Sequence, residues 1–133
     1  MTRKGFTLIE LMVVILIVGI LAAASIPLMR GRVDSAKWSE ANATAGTVRS
    51  AVRVYFAETG SSAAIIGKLD VASIQTALGF SAADLTGTYF VPGDYQITAV
   101  DATGKATITA TGSVAGAPTG TYTLKADGTW VKS

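Results

Sequence analysis

The stretch from residue 5 to residue 27 reads GFTLIELMVVILIVGILAAASIP, and it decides how the rest of the chain can fold. No charged side chain occurs from residue 11 to residue 29. As a helix rising about 1.5 Å per residue, these 19 residues extend about 28 Å, close to the ~30 Å hydrocarbon core of a bilayer. The stretch therefore predicts a helix that can span a membrane.

Glu10 is the one charged residue in the apolar run that begins at Phe6. An unpaired carboxylate in hydrocarbon costs about 2.5 kcal/mol or more. This cost favours a cationic partner for Glu10. The alternative is that Glu10 lies at the level of the lipid headgroups, where water solvates it.

The same stretch also fits a secretory signal peptide. Arg3 and Lys4 would be its basic region, residues 11 to 21 its apolar region, and residues 22 to 24 its small-residue cleavage site. Two features argue against this interpretation. An acid precedes the apolar region, and a helical pattern continues beyond residue 24.

Residues 4 to 10, Lys-Gly-Phe-Thr-Leu-Ile-Glu, are followed by the apolar run with Gly19 and Pro27. This arrangement resembles the N-terminal signature of type IV pilins and of the pseudopilins of type II secretion. The resemblance is close over about the first 30 residues, and over about the next 30 it consists of helical character alone.

The resemblance assigns roles to five residues. It implies that a prepilin peptidase cleaves between Gly5 and Phe6 and that the new N-terminal amine of Phe6 is methylated. It also implies that Glu10, the fifth residue after the cut, is needed for assembly. In assembled pili of this family the helix often unwinds between the glycine and proline that match Gly19 and Pro27, so these two positions are expected to loosen the helix.

An amphipathic pattern continues the helix to about residue 59. Apolar residues recur there at helical spacing: Trp38, Ala41, Ala45, Val48, Val52 and Tyr55. Charged residues occupy the remaining faces: Arg30, Arg32, Asp34, Glu40, Arg49 and Arg53. With Gly60 as the residue that ends it, the pattern predicts one helix of about 50 residues, whose apolar stripe needs a sheet to cover it.

The middle of the chain shows weaker signals. Residues 60 to 69 have the composition of a loop. Asp70 is a candidate N-cap for a short helix at residues 71 to 78, and Gly79 is a candidate stop signal.

From residue 87 onward the apolar period changes to two. Alternation on both sides of residues 101 to 104 predicts one hairpin, and alternation around Ala126-Asp127-Gly128 predicts a second. Residues 112 to 120 are a predicted loop between the hairpins, and residues 89 to 91 a predicted edge strand. We expect Trp130 on the inner face of the sheet.

These patterns predict an α+β, pilin-like fold, in which one long N-terminal helix packs against a C-terminal antiparallel sheet of about four strands. Three regions follow: a leader at residues 1 to 5, an apolar transmembrane or filament-core helix at 6 to 28, and a globular domain at 29 to 133.

Composition limits the chemistry. Without Arg3 and Lys4 the chain has 9 basic and 9 acidic side chains, which does not favour nucleic-acid binding. It contains no histidine and no cysteine, so we expect no enzyme, no cofactor and no zinc site, and no disulfide such as many pilins have. Asp94, Asp101 and Asp127 suit turns, and calcium binding is the alternative.

We therefore expect a structural subunit of a type IV pilus or related filament, with a type II secretion pseudopilin as the alternative. A secreted or membrane-anchored binding domain is a third possibility. The expected partners are other copies of the chain, a prepilin peptidase, an inner-membrane assembly platform and, before assembly, membrane lipid. The resemblance places the N-terminus in the cytoplasm of a bacterium and the assembled filament outside the inner membrane.

Overall fold

One long helix, α1, extends over Leu8–Thr59 and contains 52 residues, in agreement with the predicted length. The computed structural model describes all residues from 1 to 133, and in it α1 continues through Gly19 and Pro27. Gly60 ends the helix as predicted. Its φ is 69°, and its N–H donates to the Phe56 carbonyl at 2.8 Å.

The chain divides into two compact units, Met1–Ser35 and Ala36–Ser133. In the first unit every residue is exposed, including the apolar side chains of α1. By length and composition, α1 is the one helix that could cross a membrane, and a signal sequence would pass the same test. The predicted boundary between residues 28 and 29 stays a prediction.

The second unit contains a five-stranded antiparallel sheet in which neighbours in sequence are neighbours in space. Its strands are β1 (Gly67–Lys68), β2 (Tyr95–Val100), β3 (Ala106–Thr111), β4 (Thr121–Leu124) and β5 (Trp130–Lys132). The α+β, pilin-like fold class is confirmed, with one strand more than expected.

The predicted stripe of α1 lies in the core. Trp38, Ala41, Ala45, Val48 and Val52 are buried, and Tyr55 is half-buried. The inner face of the sheet supplies the other side of this core through Tyr95, Ile97, Ala106, Ile108, Ala110 and Leu124. Alanines contribute to both surfaces of this core, which contains no disulfide.

Aromatic rings fill one end of this core. The Trp38 ring centroid lies 4.4 Å from that of Tyr122 and 5.2 Å from that of Phe90. Trp130 stacks on Tyr122 at 5.3 Å and lies 6.3 Å from Trp38. The predicted inward position of Trp130 is confirmed, although its side chain is only half-buried.

The predicted edge strand at residues 89 to 91 is wrong. The Tyr89 N–H donates to the Glu40 carboxylate of α1 at 2.9 Å, and a 3₁₀ turn at Pro92–Asp94 follows. Because α1 takes this N–H, the segment does not pair as a strand. The edge strand is instead β1, which lies in the stretch predicted to be a loop and pairs with β2.

The short helix α2 is present at Ala72–Leu78, and Gly79 ends it in a left-handed conformation as predicted. The predicted cap is wrong, because Val71 is the N-cap residue and no side chain caps the helix. Ile74 and Leu78 are buried and hold α2 on the core. Packing therefore positions this helix without help from Asp70.

Both predicted hairpin turns are present. Asp101 Oδ1 accepts hydrogen bonds from the N–H groups of Lys105 and Thr103, and Asp127 Oδ1 accepts two from Thr129, one from its hydroxyl and one from its N–H. These bonds favour the ionised carboxylates and lower the pKa of both acids. Both side chains thus form turns, and no group of three or more potential ligand side chains could hold a metal ion.

Trp130→Ala should lower the free energy of unfolding by about 2 kcal/mol, less than the ~3–5 kcal/mol of a fully buried tryptophan. The expected loss reflects the half-buried ring packed on Tyr122 and Trp38. Urea unfolding of the full chain in detergent micelles measures it. Val131→Ala, one residue along β5 on the other face, is the control and should lose less. Equal losses would contradict the packing.

Tyr95→Phe should reduce the decrease in the free energy of unfolding at alkaline pH. Burial, together with the charges of Glu40 and Asp94, raises the pKa of Tyr95 to about 12, although a hydrogen bond with Thr44 opposes the shift. The unfolded pKa is about 10, so the stabilisation is complete below about pH 10 and is lost as pH rises toward 12. Unfolding measured across this interval tests it, with Tyr122→Phe as control. An unchanged pH dependence in Tyr95→Phe would contradict the assignment.

Candidate assembly site at the start of the long helix

Thr7 and Glu10 form a reciprocal pair of hydrogen bonds where α1 begins. The Thr7 N–H and Oγ1 both donate to Glu10 Oε2, each at 2.8 Å. The Glu10 N–H donates back to Thr7 Oγ1 at 3.3 Å. The first backbone bond of the helix follows from the Leu11 N–H to the Thr7 carbonyl, at 3.3 Å.

This arrangement is a capping box, with Thr7 as the N-cap and Glu10 as the third helical residue. It satisfies two of the N–H groups that a helix start leaves without partners. The sequence signal for it is a threonine followed three residues later by a glutamate, directly before an apolar run. The charge of Glu10 and the family resemblance predicted a role in assembly, and they did not predict this role in capping the helix.

The capping box helps to stabilise the negative charge of Glu10. A carboxylate in the first turn is also favoured by the positive end of the helix dipole. Both hydrogen bonds reach Oε2, so Oε1 remains available for a further donor. Hydrogen bonds within the chain therefore supply part of the stabilisation of the Glu10 charge, which the sequence analysis attributes to a cation or to water at the headgroup level.

The predicted cleavage bond between Gly5 and Phe6 lies ahead of the helix, in a segment without regular structure. The Phe6 side chain is 85% exposed. A Cβ added to Gly5 would meet no atom within 4 Å, and its φ is not positive. The fold of the chain thus gives no steric or conformational reason for a glycine at position 5.

Gly19 and Pro27 lie within continuous helix. A Cβ added to Gly19 would meet no atom within 4 Å, so its ~1 kcal/mol cost in helix propensity has no packing benefit in this chain. Pro27 has no N–H to donate, and near it the Ser25 Oγ donates to the Leu21 carbonyl at 2.8 Å, a contact that often bends helices. Loosening in an assembled filament stays a prediction.

The surface around Glu10 is apolar and open. Phe6, which precedes α1, lies beside Glu10 together with Ile9 and Val13 of the helix. These side chains form a shallow face, not an enclosed cavity. Such a face suits packing against another apolar helix or against lipid. The site combines this apolar surface with one carboxylate and an accessible backbone bond.

Residues 1–26 match the family described as the prokaryotic N-terminal methylation motif. The match includes the predicted cleavage bond, the capping box and Gly19. The N-terminal signature inferred from the sequence is therefore confirmed at the level of the motif.

Several curated proteins are similar to part of this chain. It is 48% identical over 58 residues to the fimbrial protein EcpC of Eikenella corrodens, and 48% identical over 54 residues to the type IV narrow pilus major component PilA5 of Thermus thermophilus. It is 50% identical over 58 residues to the type IV major pilin protein PilE1 of Neisseria gonorrhoeae.

These similarities cover 44%, 41% and 44% of this chain and 38%, 47% and 35% of the respective relatives. The chain thus spans less than half the length of the curated relatives it matches. The motif and the fold define a pilin-like α+β chain with a methylation-type N-terminus. Its curated relatives are type IV pilins and fimbrial proteins.

Thr7→Val should speed hydrogen exchange of the Glu10 amide about 5-fold, because loss of an N-cap hydroxyl costs about 1 kcal/mol. Thr7→Ser keeps the hydroxyl and is the matched control. Amide exchange by NMR on the full chain in micelles gives the comparison. Equal protection in the two variants would mean that the hydroxyl does not hold the helix start.

Proposed function

We propose that this chain is a structural subunit of a type IV pilus or related filament. It polymerises through its apolar N-terminal helix after cleavage between Gly5 and Phe6. The observation that carries the proposal is the methylation motif at residues 1–26, which includes the start of α1, where every apolar side chain is exposed. Association of subunits, and not catalysis, is the proposed mechanism.

Gly5 and Gly19 support this function, because the fold of the chain does not require a glycine at either position. Neither Gly5 nor Gly19 has a steric or conformational requirement within the chain. A prepilin peptidase would require Gly5, because a residue without a side chain fits an extended protease groove. Methylation of the new Phe6 amine would leave that amine able to carry a charge.

The proposed assembly contact joins Glu10 of one subunit to the Phe6 amine of the next. The new amine has an ordinary pKa near 7.7 and is positively charged at neutral pH. It would donate to Glu10 Oε1, the oxygen that the capping box leaves available. Pairing would neutralise both charges within an apolar core and select one axial register, since removing one partner of a buried pair costs about 3 to 5 kcal/mol.

Before assembly, lipid would solvate the apolar helix, with the N-terminus in the cytoplasm and the domain outside the inner membrane. In the filament, neighbouring helices would replace the lipid. The partners proposed for this pathway are a prepilin peptidase, an inner-membrane assembly platform and further copies of the chain. No nucleic acid and no cofactor belongs to the mechanism.

A type II secretion pseudopilin remains the second candidate, because pseudopilins share the N-terminal signature. The names of the relatives, which are pilins and fimbrial proteins, favour the pilus.

Mass spectrometry of the mature chain tests the third candidate, a secreted binding domain. Filament assembly requires a methylated Phe6 at the N-terminus, whereas ordinary secretion would give a chain that begins at Ser25.

Glu10→Gln should block filament formation as strongly as Glu10→Ala. Glutamine can still accept the Thr7 hydrogen bond, so it preserves the capping box and removes only the charge. Alanine removes both. Each variant is expressed alone and beside the wild type, N-terminal processing is confirmed, and filaments sheared from cells are quantified.

Two results would count against the pairing. Normal filament yield from processed Glu10→Gln, with loss in Glu10→Ala, would assign the function of Glu10 to the helix cap. Normal yield from both processed variants would remove Glu10 from the assembly mechanism. Thr7→Val supplies a matched control, because it weakens the cap and retains the charge.

A further inference from the structure

The outer face of the sheet is strongly polar. Its outward side chains on β1 to β4 include Lys68, Gln96, Thr107, Thr109, Thr111, Thr121 and Thr123. Hydroxyl groups meet across strands, with Thr111 Oγ1 2.8 Å from Thr121 Oγ1 and Thr123 Oγ1 2.9 Å from the Ser133 hydroxyl. This face belongs wholly to the unit Ala36–Ser133 and takes no part in the assembly site.

A groove of about 500 Å³ opens at one end of this face. It lies where β1, the start of β2 and the end of β3 meet the 3₁₀ turn at Pro92–Asp94. Its lining is polar and includes Lys68, Asp70, Asp94, Gln96, Thr111 and Ser113. No aromatic or large aliphatic side chain lines it.

Asp94 is the buried acid of the groove. Its side chain is only 7% exposed, although it lines the groove. The Val91 N–H donates to Oδ2 at 3.0 Å, and no hydrogen bond within the domain reaches Oδ1. A buried carboxylate with one oxygen held in place and the other available is a preorganised acceptor.

Asp70 brings a second carboxylate to the same place. Its Oδ2 lies 3.3 Å from the position that a Cβ on Gly93 would occupy. Gly93 has no positive φ, so its lack of a side chain leaves room for the Asp70 carboxylate beside the turn. Asp70 caps no helix, and its side chain is exposed where it lines the groove.

The residues that line the groove indicate which class of ligand it could bind. Two carboxylates disfavour an anion, and a polar wall disfavours an apolar molecule. Lys68 and the absence of a third acidic ligand disfavour a divalent cation. Carboxylate, amide and hydroxyl groups together accept and donate many hydrogen bonds, which suits a neutral molecule rich in hydroxyls.

We propose that this groove binds a neutral saccharide. Asp94 Oδ1 and the Asp70 carboxylate accept from sugar hydroxyls, while Gln96, Thr111 and Ser113 donate to or accept from neighbouring ones. The proposal does not depend on filament assembly, since every residue involved lies in the folded unit.

The test is a titration of the ¹⁵N-labelled full chain in micelles of a detergent without a sugar headgroup. The probes are maltotriose, cellotriose and chitotriose, with spermidine and calcium as separate arms. At least one trisaccharide should give saturable shifts of the Gln96, Thr109, Thr111 and Ser113 amides. Gln96→Ala and Thr111→Ala should each weaken its binding about tenfold, which corresponds to one hydrogen bond of about 1.4 kcal/mol.

Thr123→Ala is the matched control. Like Thr111→Ala, it removes one member of a hydroxyl pair on the outer face, but it lies outside the groove. Its binding should equal that of the wild type. The proposal is overturned if no trisaccharide shifts the groove amides, if Thr123→Ala binds as weakly as Thr111→Ala, or if only spermidine or calcium produces the shifts.

Discussion

The packing of the sheet on the apolar stripe of α1 is the interaction on which the folded unit depends. Five residues of α1 from Trp38 to Val52 are buried in one core with Ala106, Ile108 and Ala110 of β3. The unit contains no disulfide, so noncovalent contacts hold it together, and this core and the strand ladders are the most extensive of them. The aromatic group around Trp38 adds offset and edge contacts that fix the second hairpin.

Polar residues of the same helix then attach the loops. Glu40 accepts the Tyr89 N–H, Lys37 Nζ donates to the Gly116 carbonyl at 2.7 Å, and Arg49 donates to the Ala126 carbonyl in the second hairpin turn. Each contact joins the helix to a segment far away in sequence. One side of α1 thus forms part of the core, and polar residues beside that side bind the loops.

The apolar start of α1 follows a different constraint. Its side chains have no cover within the chain, and by length and composition this part of α1 could cross a membrane. The capping box explains how a charged residue is held there, because Glu10 both stabilises the first turn and keeps one oxygen available. A single carboxylate can therefore contribute to folding and to the proposed assembly contact.

Local sequence patterns predicted the structure correctly wherever it depends on residues that are close together in the chain. The stripe from Trp38 to Val52 predicted the buried helix face, and Gly60 and Gly79 predicted the C-terminal ends of the two helices. Alternation around residues 101 to 104 and the Asp127-Gly128 pair predicted the two hairpin turns. The prediction at residues 89 to 91 was wrong because Glu40, 49 positions away, takes the Tyr89 N–H. The strand β1 was missed because two residues carry no measurable period.

Spacing along the chain was enough to predict the long helix, its division into apolar and amphipathic parts, the two hairpins and the methylation-type N-terminus. The folded unit was needed to show the edge strand, the hydrogen bonds from α1 to the loops and the groove around Asp94. These features bring together residues from separate segments, such as Lys68 with Gln96 and Asp70 with Gly93. Such pairings arise from the packing of the whole unit, which no local period encodes.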